Sequence, residues 1–183
     1  MKELSLNILD ISENSVKAGA SLTEILIQEN DEILTLTVKD NGRGMSDEVL
    51  RSVTDPFYTT RTTRSVGLGI PLLKLAAEQT GGHIEIHSKV RDDPTEDHGT
   101  EIKAYFNKNH IDFTPLGDTV STITTLIQGN PDIDFLFSHV KNGVTVYLDT
   151  RELRRELEDV PLNTYEVIKW IEEYLIEQYK EHN

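Results

Sequence analysis

The chain has 183 residues, 37% of them hydrophobic, and a formal net charge of −14. That length fits one domain with room for an appendage, and the apolar content suffices for an ordinary core. Residues 1–114 hold 12 basic and 19 acidic side chains and residues 115–183 hold 6 and 13, so neither part is a basic tail. General binding to nucleic acid or to an anionic membrane is not expected, because both are driven by Lys and Arg. With no cysteine, disulfides, thiolate metal sites and cysteine catalysis are excluded. No apolar run approaches the ~20 residues of a membrane span, and the N-terminus has no secretory pattern, so a soluble cytoplasmic protein is expected.

Residues Glu3 to Ala18 read as a helix stopped at Gly19. Asn7, Asp10, Asn14 and Lys17 recur at spacings of three, four and three. At ~100° per residue they share an arc of about 80°. Leu4, Ile8 and Ile11 form the neighbouring apolar stripe, with Leu9 and Val16 in a second. A polar stripe is usually a solvated face. Two Asn and an Asp among apolar neighbours favour a pocket wall instead.

Leu22 to Gln28 and Ile33 to Val38 read as an antiparallel hairpin around Asn30-Asp31. The second strand runs into Asp40-Asn41-Gly42-Arg43-Gly44-Met45. A carboxylate at a strand end accepts a hydrogen bond from an amino group, and two glycines let backbone pass close to a flat ligand. The same letters also spell an ordinary turn, and the two readings stay open here. Ser46 opens a short helix with acids in its first turn.

Residues 55–65, Asp-Pro-Phe-Tyr-Thr-Thr-Arg-Thr-Thr-Arg-Ser, have no periodicity and suit a lid loop. Gly67-Leu68-Gly69 precedes Pro71 and a predicted helix over Leu72–Thr80; glycines before a helix N-terminus suit an anion, although most such pairs are turns. His83 to His87 alternates as a strand with Ile84 and Ile86 inward. His83 and His87 are ~13 Å apart at ~3.3 Å per residue, which disfavours a metal site between them. The strand from Gly99 to Phe106 begins with Thr100, whose hydroxyl is expected to be free.

In this order the motifs resemble the GHKL superfamily, the ATP-binding domains of histidine kinases, type II topoisomerases, mismatch-repair ATPases and a heat-shock chaperone. The resemblance covers about residues 3–107 and is nearest to the sensor-kinase ATPase domain. It implies an α+β two-layer sandwich: a mixed, largely antiparallel sheet covered by helices on one side. It implies ATP and Mg2+ as ligands. Asn14 then stands at the magnesium position and Lys17 at a phosphate contact. Asp40 receives the adenine amino group, Gly42 and Gly44 admit the base, and Met45 packs on it. Phe57 matches the kinase phenylalanine motif, and Arg61 stands where Lys is common. Gly67, Leu68 and Gly69 match the phosphate-cradling turn, and Thr100 supports adenine through water.

Asp10 departs from the pattern, standing where the hydrolytic branches carry Glu and many histidine kinases carry Asn. The resemblance makes it the catalytic carboxylate, one methylene short, so slow and partner-dependent turnover is expected. A non-catalytic nucleotide sensor or scaffold is the alternative. No histidine precedes the module in this sequence, so histidine autophosphorylation in cis is not expected.

Pro115 to Asp118 reads as a boundary, giving an ATP-binding unit over 1–110 and an extension over 115–183. The extension reads as a helix from Thr119, a hairpin turning at Asn142-Gly143, a short helix capped by Asp149, and a last helix opened by Pro161. Tyr165, Ile168, Ile171, Tyr174, Leu175 and Tyr179 form that helix's apolar side, with Trp170 at its margin. Docking on the chain's own core is favoured. A partner protein or a second copy is the alternative occupant.

Overall fold

The computed structural model describes residues 3–54, 67–92 and 95–182. The N-terminal part comprises α1 (Leu4–Lys17), the hairpin β1 (Leu22–Glu29) and β2 (Ile33–Asp40), α2 (Asp47–Thr54), α3 (Gly69–Gln79), β3 (His83–Lys89) and β4 (Gly99–Asn107). The C-terminal part comprises α4 (Thr119–Gly129), β5 (Asp134–Lys141), β6 (Val144–Asp149), α5 (Thr150–Leu157) and α6 (Tyr165–His182).

All six strands form one sheet in the order β3-β4-β2-β1-β5-β6. Every pairing is antiparallel except β1 with β5, which run parallel from Leu22↔Asp134 to Glu29↔Lys141. This is the expected mixed, largely antiparallel sheet. The strands alternate in burial because their side chains point to opposite faces in turn. Ile25 and Ile27, Leu34 and Leu36, Ile102 and Ala104, and Phe135 and Phe137 face a single apolar core. Leu4, Ile8 and Ile11 of α1, Leu73 and Ala77 of α3, Ile123 and Leu126 of α4, and Ile171 and Leu175 of α6 complete it. On the other face His83 stacks on its cross-strand neighbour Tyr105 at 4.4 Å.

Residues 115–182 are built into this sheet and also hold α1. A helix start leaves its first N–H groups without intrahelical partners. Here the Leu4 and Ser5 N–H groups donate to the carbonyls of Pro115 (2.9 Å) and Leu116 (2.8 Å). Thr122 of α4 donates to the Ser5 carbonyl at 3.3 Å. Asn142 and Gly143 take φ of 49° and 86°, the positive pair that a tight hairpin turn demands. Asp149 caps α5 by accepting the Arg151 N–H at 2.9 Å, as its sequence suggests.

Two boundaries differ from expectation, as does the buried side of the last helix. α3 begins at Gly69 rather than Leu72, so Pro71 lies within the first turn, where its missing N–H has no intrahelical role. α6 begins at Tyr165, because Pro161 to Thr164 closes a turn through the Thr164 N–H and the Pro161 carbonyl (3.2 Å). The buried side of α6 is Val167, Ile171 and Leu175, whereas Tyr165 is 72% exposed. Among the described residues no helix is long and apolar enough to cross a membrane.

One buried polar cluster joins the two parts of the chain. His139 of β5 is 2% exposed; its Nε2 lies 2.9 Å from Glu29 of β1, and its Nδ1 lies 2.8 Å from the Tyr179 hydroxyl of α6. The Tyr179 oxygen also accepts from Thr119 at 2.9 Å. The tyrosine proton is therefore directed at Nδ1, and the Nε2–H at the carboxylate. Lys108 closes on the other Glu29 oxygen at 2.6 Å. Burial pushes His139 down to about 4, against the pull of Glu29. For Glu29, hydrogen bonds from Lys108 and His139 outweigh burial and hold its carboxyl below the usual value.

Two outcomes follow for stability. Phe137 is fully buried on the strand that joins the two parts, so Phe137→Ala should cost about 3–5 kcal/mol, and urea should unfold the chain in one transition by both tryptophan fluorescence and far-UV circular dichroism. The His139 proton is taken up more readily by the unfolded chain, whose pKa is near 6.5, than by the folded one near 4. Stability should therefore fall, by up to about 3 kcal/mol, as pH drops from about 6.5 to about 4. Urea midpoints measured across that range should show a shallower decline for His139→Gln.

Candidate functional site

β2 ends at Asp40, which the register sets opposite Thr100 on β4 and Thr23 on β1. Its half-buried carboxylate is fixed from three elements. Oδ2 accepts the Ser15 hydroxyl of α1 at 2.8 Å. Oδ1 accepts the Gly42 N–H at 2.9 Å and the Thr100 N–H at 3.3 Å. Ser15 is 2% exposed, so its hydroxyl is committed to this bond.

The turn after Asp40 is crowded, which accounts for its glycines. A Cβ on Gly42 would stand 2.9 Å from the Ala18 Cβ and 3.0 Å from Asp40 Oδ1. Gly44 has φ of +71°, and a Cβ there would run into the Lys89 carbonyl. Neighbouring backbone pins the turn: the Arg43 N–H donates to the Ala18 carbonyl (3.0 Å), and the Arg91 N–H donates to the Arg43 carbonyl (2.9 Å). His98 Nδ1 lies 2.7 Å from the Gly42 carbonyl. The Met45 N–H donates to the Ser88 hydroxyl at 2.8 Å. Asn41 is a turn residue, its side chain accepting from the Ser21 and Leu22 N–H groups.

Over this turn opens a cleft of about 430 Å³. α1 contributes Ile11, Asn14, Ser15, Lys17 and Ala18; β2 contributes Val38 and Asp40. Arg43, Gly44, Met45, Ser46 and Val49 form another wall, and Ile70 of α3 with Thr100 and Ile102 of β4 complete the lining. The cleft is apolar with polar groups at defined points, the usual character of a small-molecule site.

Of the residues singled out in the sequence, Asn14, Lys17, Asp40, Gly44, Met45 and Thr100 line this cleft, with Gly42 beneath it. Gly69 meets α1 at the same place: a Cβ there would lie 3.3 Å from the Asp10 Cβ and 3.7 Å from Asn14 Nδ2. Asp10 is solvent-exposed. Among the described residues the side chains of Asp10, Asn14 and Lys17 have no hydrogen-bond partner. Gly67 and Leu68 are outside the lining, and Leu68 is 71% exposed. Phe57 and Arg61 lie outside the described residues.

Two expectations need correction. The Thr100 hydroxyl is not free; it shares a 2.8 Å hydrogen bond with Ser88 Oγ, and its backbone N–H is what reaches Asp40. The polar row of α1 is not one continuous wall. Asn7 is 0% exposed with neither carboxamide atom hydrogen-bonded, so it lies in the packed interior and not on the cleft. Sequence reasoning also missed Ser15, Ser88 and His98. Ser15 beside Asn14 was the readable signal, since a hydroxyl on the inner side of a helix needs an acceptor.

Comparison with known proteins agrees with this geometry. The family described as "Histidine kinase-, DNA gyrase B-, and HSP90-like ATPase" matches residues 2–110. The sensor protein SrrB of Staphylococcus aureus is 32% identical over 95 residues, which is 49% of this chain and 16% of SrrB. The chain thus spans about one sixth of that relative's length. Among solved structures, the Aquifex aeolicus MutL ATPase domain complexed with ADP aligns with a TM-score of 0.53 at 13% identity, covering 97% of this chain and 70% of that one. The N-terminal domain of a DNA repair protein aligns at 0.54 and 15% identity, covering 81% and 53%. At such identities the structural likeness is one of fold. The family match spans the helix, hairpin and turn that make the cleft, and the chain belongs to the histidine kinase-, DNA gyrase B- and HSP90-like ATPases.

Proposed function

We propose that the chain binds Mg-ATP in the cleft between α1, β2 and α2, in the cytoplasm, and turns it over slowly by hydrolysis or by phosphoryl transfer to a partner protein. One observation carries the reading: a half-buried carboxylate, oriented by Ser15, Gly42 and Thr100, closes the inner end of a cleft that Asn14 and Lys17 line further out. The residues fit such a ligand. The Asp40 carboxylate, held at the edge of an apolar cleft lined by Val38, Met45, Ile70 and Ile102, suits a base with an exocyclic amino group. The Asn14 carboxamide supplies a hard oxygen donor, suited to magnesium and uncommitted among the described residues. Gly69 starts α3 against Asn14, where free N–H groups favour phosphate.

In this reading Asp40 accepts the adenine amino hydrogen bond, and Met45 and Ile70 exclude water from the base. Lys17 attracts phosphate at the mouth of the cleft. Magnesium, when bound, neutralises phosphate charge. Asp10 accepts the proton of the attacking hydroxyl, acting from an exposed position with nothing to orient it. That exposure favours the second reading as well: a subunit that senses ATP or ADP without turnover.

Isothermal calorimetry with Mg-ATP and Mg-ADP should show saturable binding, and silence at millimolar nucleotide would overturn the proposal. Asp40→Asn replaces an acceptor by a donor and should weaken binding about tenfold to a hundredfold, as for a lost hydrogen bond to a charged group. Asp10→Ala separates the two readings. Retained binding with loss of phosphate release or transfer supports the enzyme; tight binding with no turnover in either protein supports the sensor.

A further inference from the structure

A second groove lies at the opposite sheet edge from β3, where β6, α5 and α6 meet. It holds about 420 Å³. Trp170 and Tyr174 of α6 form one wall, their rings stacked at 4.9 Å and nearly parallel at 10°. They remain 49% and 38% exposed, which is unusual for a stacked aromatic pair on a helix whose Val167, Ile171 and Leu175 are buried. Glu152 and Glu156 of α5 form the facing wall, and neither has an ion-pair or hydrogen-bond partner among the described residues. Tyr147 of β6 closes the end of the groove; burial and the charges of Asp149 and Glu152 hold its phenol above the usual value.

The electrostatics favour one sign of ligand. Asp149 and Arg151 neutralise one another through a 2.7 Å ion pair. Arg155 is the only cation lining the groove among the described residues, and Glu152 and Glu156 outnumber it. Glu166 and Glu173 are exposed one turn either side of Trp170. Phosphate-bearing partners are repelled by such a surface. A second copy of a chain at −14 brings more of the same charge. An aromatic wall facing uncommitted carboxylates suits a guanidinium, which stacks on indole while forking to a carboxylate.

We propose that this groove is a docking site for an arginine-bearing basic segment of a partner protein. The planar head lies against Trp170 and Tyr174, and its N–H groups reach Glu152 and Glu156. The site is separate from the nucleotide cleft and needs no nucleotide.

Trp170 is the only tryptophan of the chain, so intrinsic fluorescence reports this groove directly. Titration of the whole protein with a capped tri-arginine peptide should give a saturable change in emission, with millimolar or tighter affinity. A tri-lysine peptide should bind about threefold more weakly, a tri-glutamate peptide not at all, and roughly 0.5 M salt should suppress the response. Glu152→Gln with Glu156→Gln, checked for folding by circular dichroism, should weaken tri-arginine binding at least about threefold. Trp170→Leu, followed by calorimetry, should lose it. No saturable change, an unaltered affinity in the double variant, or an emission change that tracks protein concentration alone would each overturn the proposal; the last would assign the groove to self-association. Because nucleotide is absent throughout, these outcomes are independent of the calorimetry with Mg-ATP.

Discussion

The hydrogen bond from Ser15 to Asp40 ties the first helix to the end of the second strand, and the geometry of the cleft depends on it. A carboxylate at a strand end is free to rotate. Here the hydroxyl takes one oxygen and the Gly42 and Thr100 N–H groups take the other, so the side chain is set before any ligand arrives. Such preorganisation lowers the ordering cost of binding. In the turn that follows, Ala18 and the Asp40 carboxylate leave no room for a Cβ at Gly42, and the Lys89 carbonyl leaves none at Gly44, where φ is +71°. The glycines are a consequence of how closely this turn packs against Ala18 after α1 and Lys89 at the end of β3.

The C-terminal part keeps α1 where that bond needs it. Its first N–H groups end on the carbonyls of Pro115 and Leu116, and Thr122 holds Ser5. Parallel pairing of β5 with β1 brings Phe135 and Phe137 into the core that α1 also enters. A helix anchored at its start by one part of the chain, and near its end by Ser15 and Asp40, presents Asp10 and Asn14 from a fixed frame. Residues 115–182 thus contribute to the cleft without lining it.

Much of this was legible in the chain because it is local. Period-two alternation marks the strands, Asn142-Gly143 marks its hairpin, and Asp40 with its glycines is a contiguous phrase. What was hidden is what joins distant residues. Ser15 and Asp40 are 25 positions apart, and no periodicity links them. Pairing of β1 with β5 crosses more than a hundred residues, and a parallel register has no turn to announce it. The Thr100 hydroxyl looked free because its partner, Ser88, lies on another strand. Exposure of Tyr165 and burial of Val167 depend on where α6 begins, and a threonine turn rather than Pro161 sets that.

The two polar clusters of the molecule show how residues of similar type serve opposite ends. Around His139, tyrosine, threonine, glutamate and lysine form a closed chain between β1, β5 and α6, with the His182 ring packed beside it and its Nε2 unpartnered. Such a network is satisfied by itself, and its role is to lock the extension to the sheet. Around Asn14 the accounting is reversed. Asp10, Asn14 and Lys17 sit within one helical face, Asp10 and Asn14 beside the start of α3, and none finds a partner among the described residues. Asp10 and Lys17 are exposed and Asn14 is part-buried, so water satisfies them and they stay free to turn to a ligand at little cost. The first cluster is closed on itself and structural; the second is uncommitted, and the proposal of nucleotide binding rests on it.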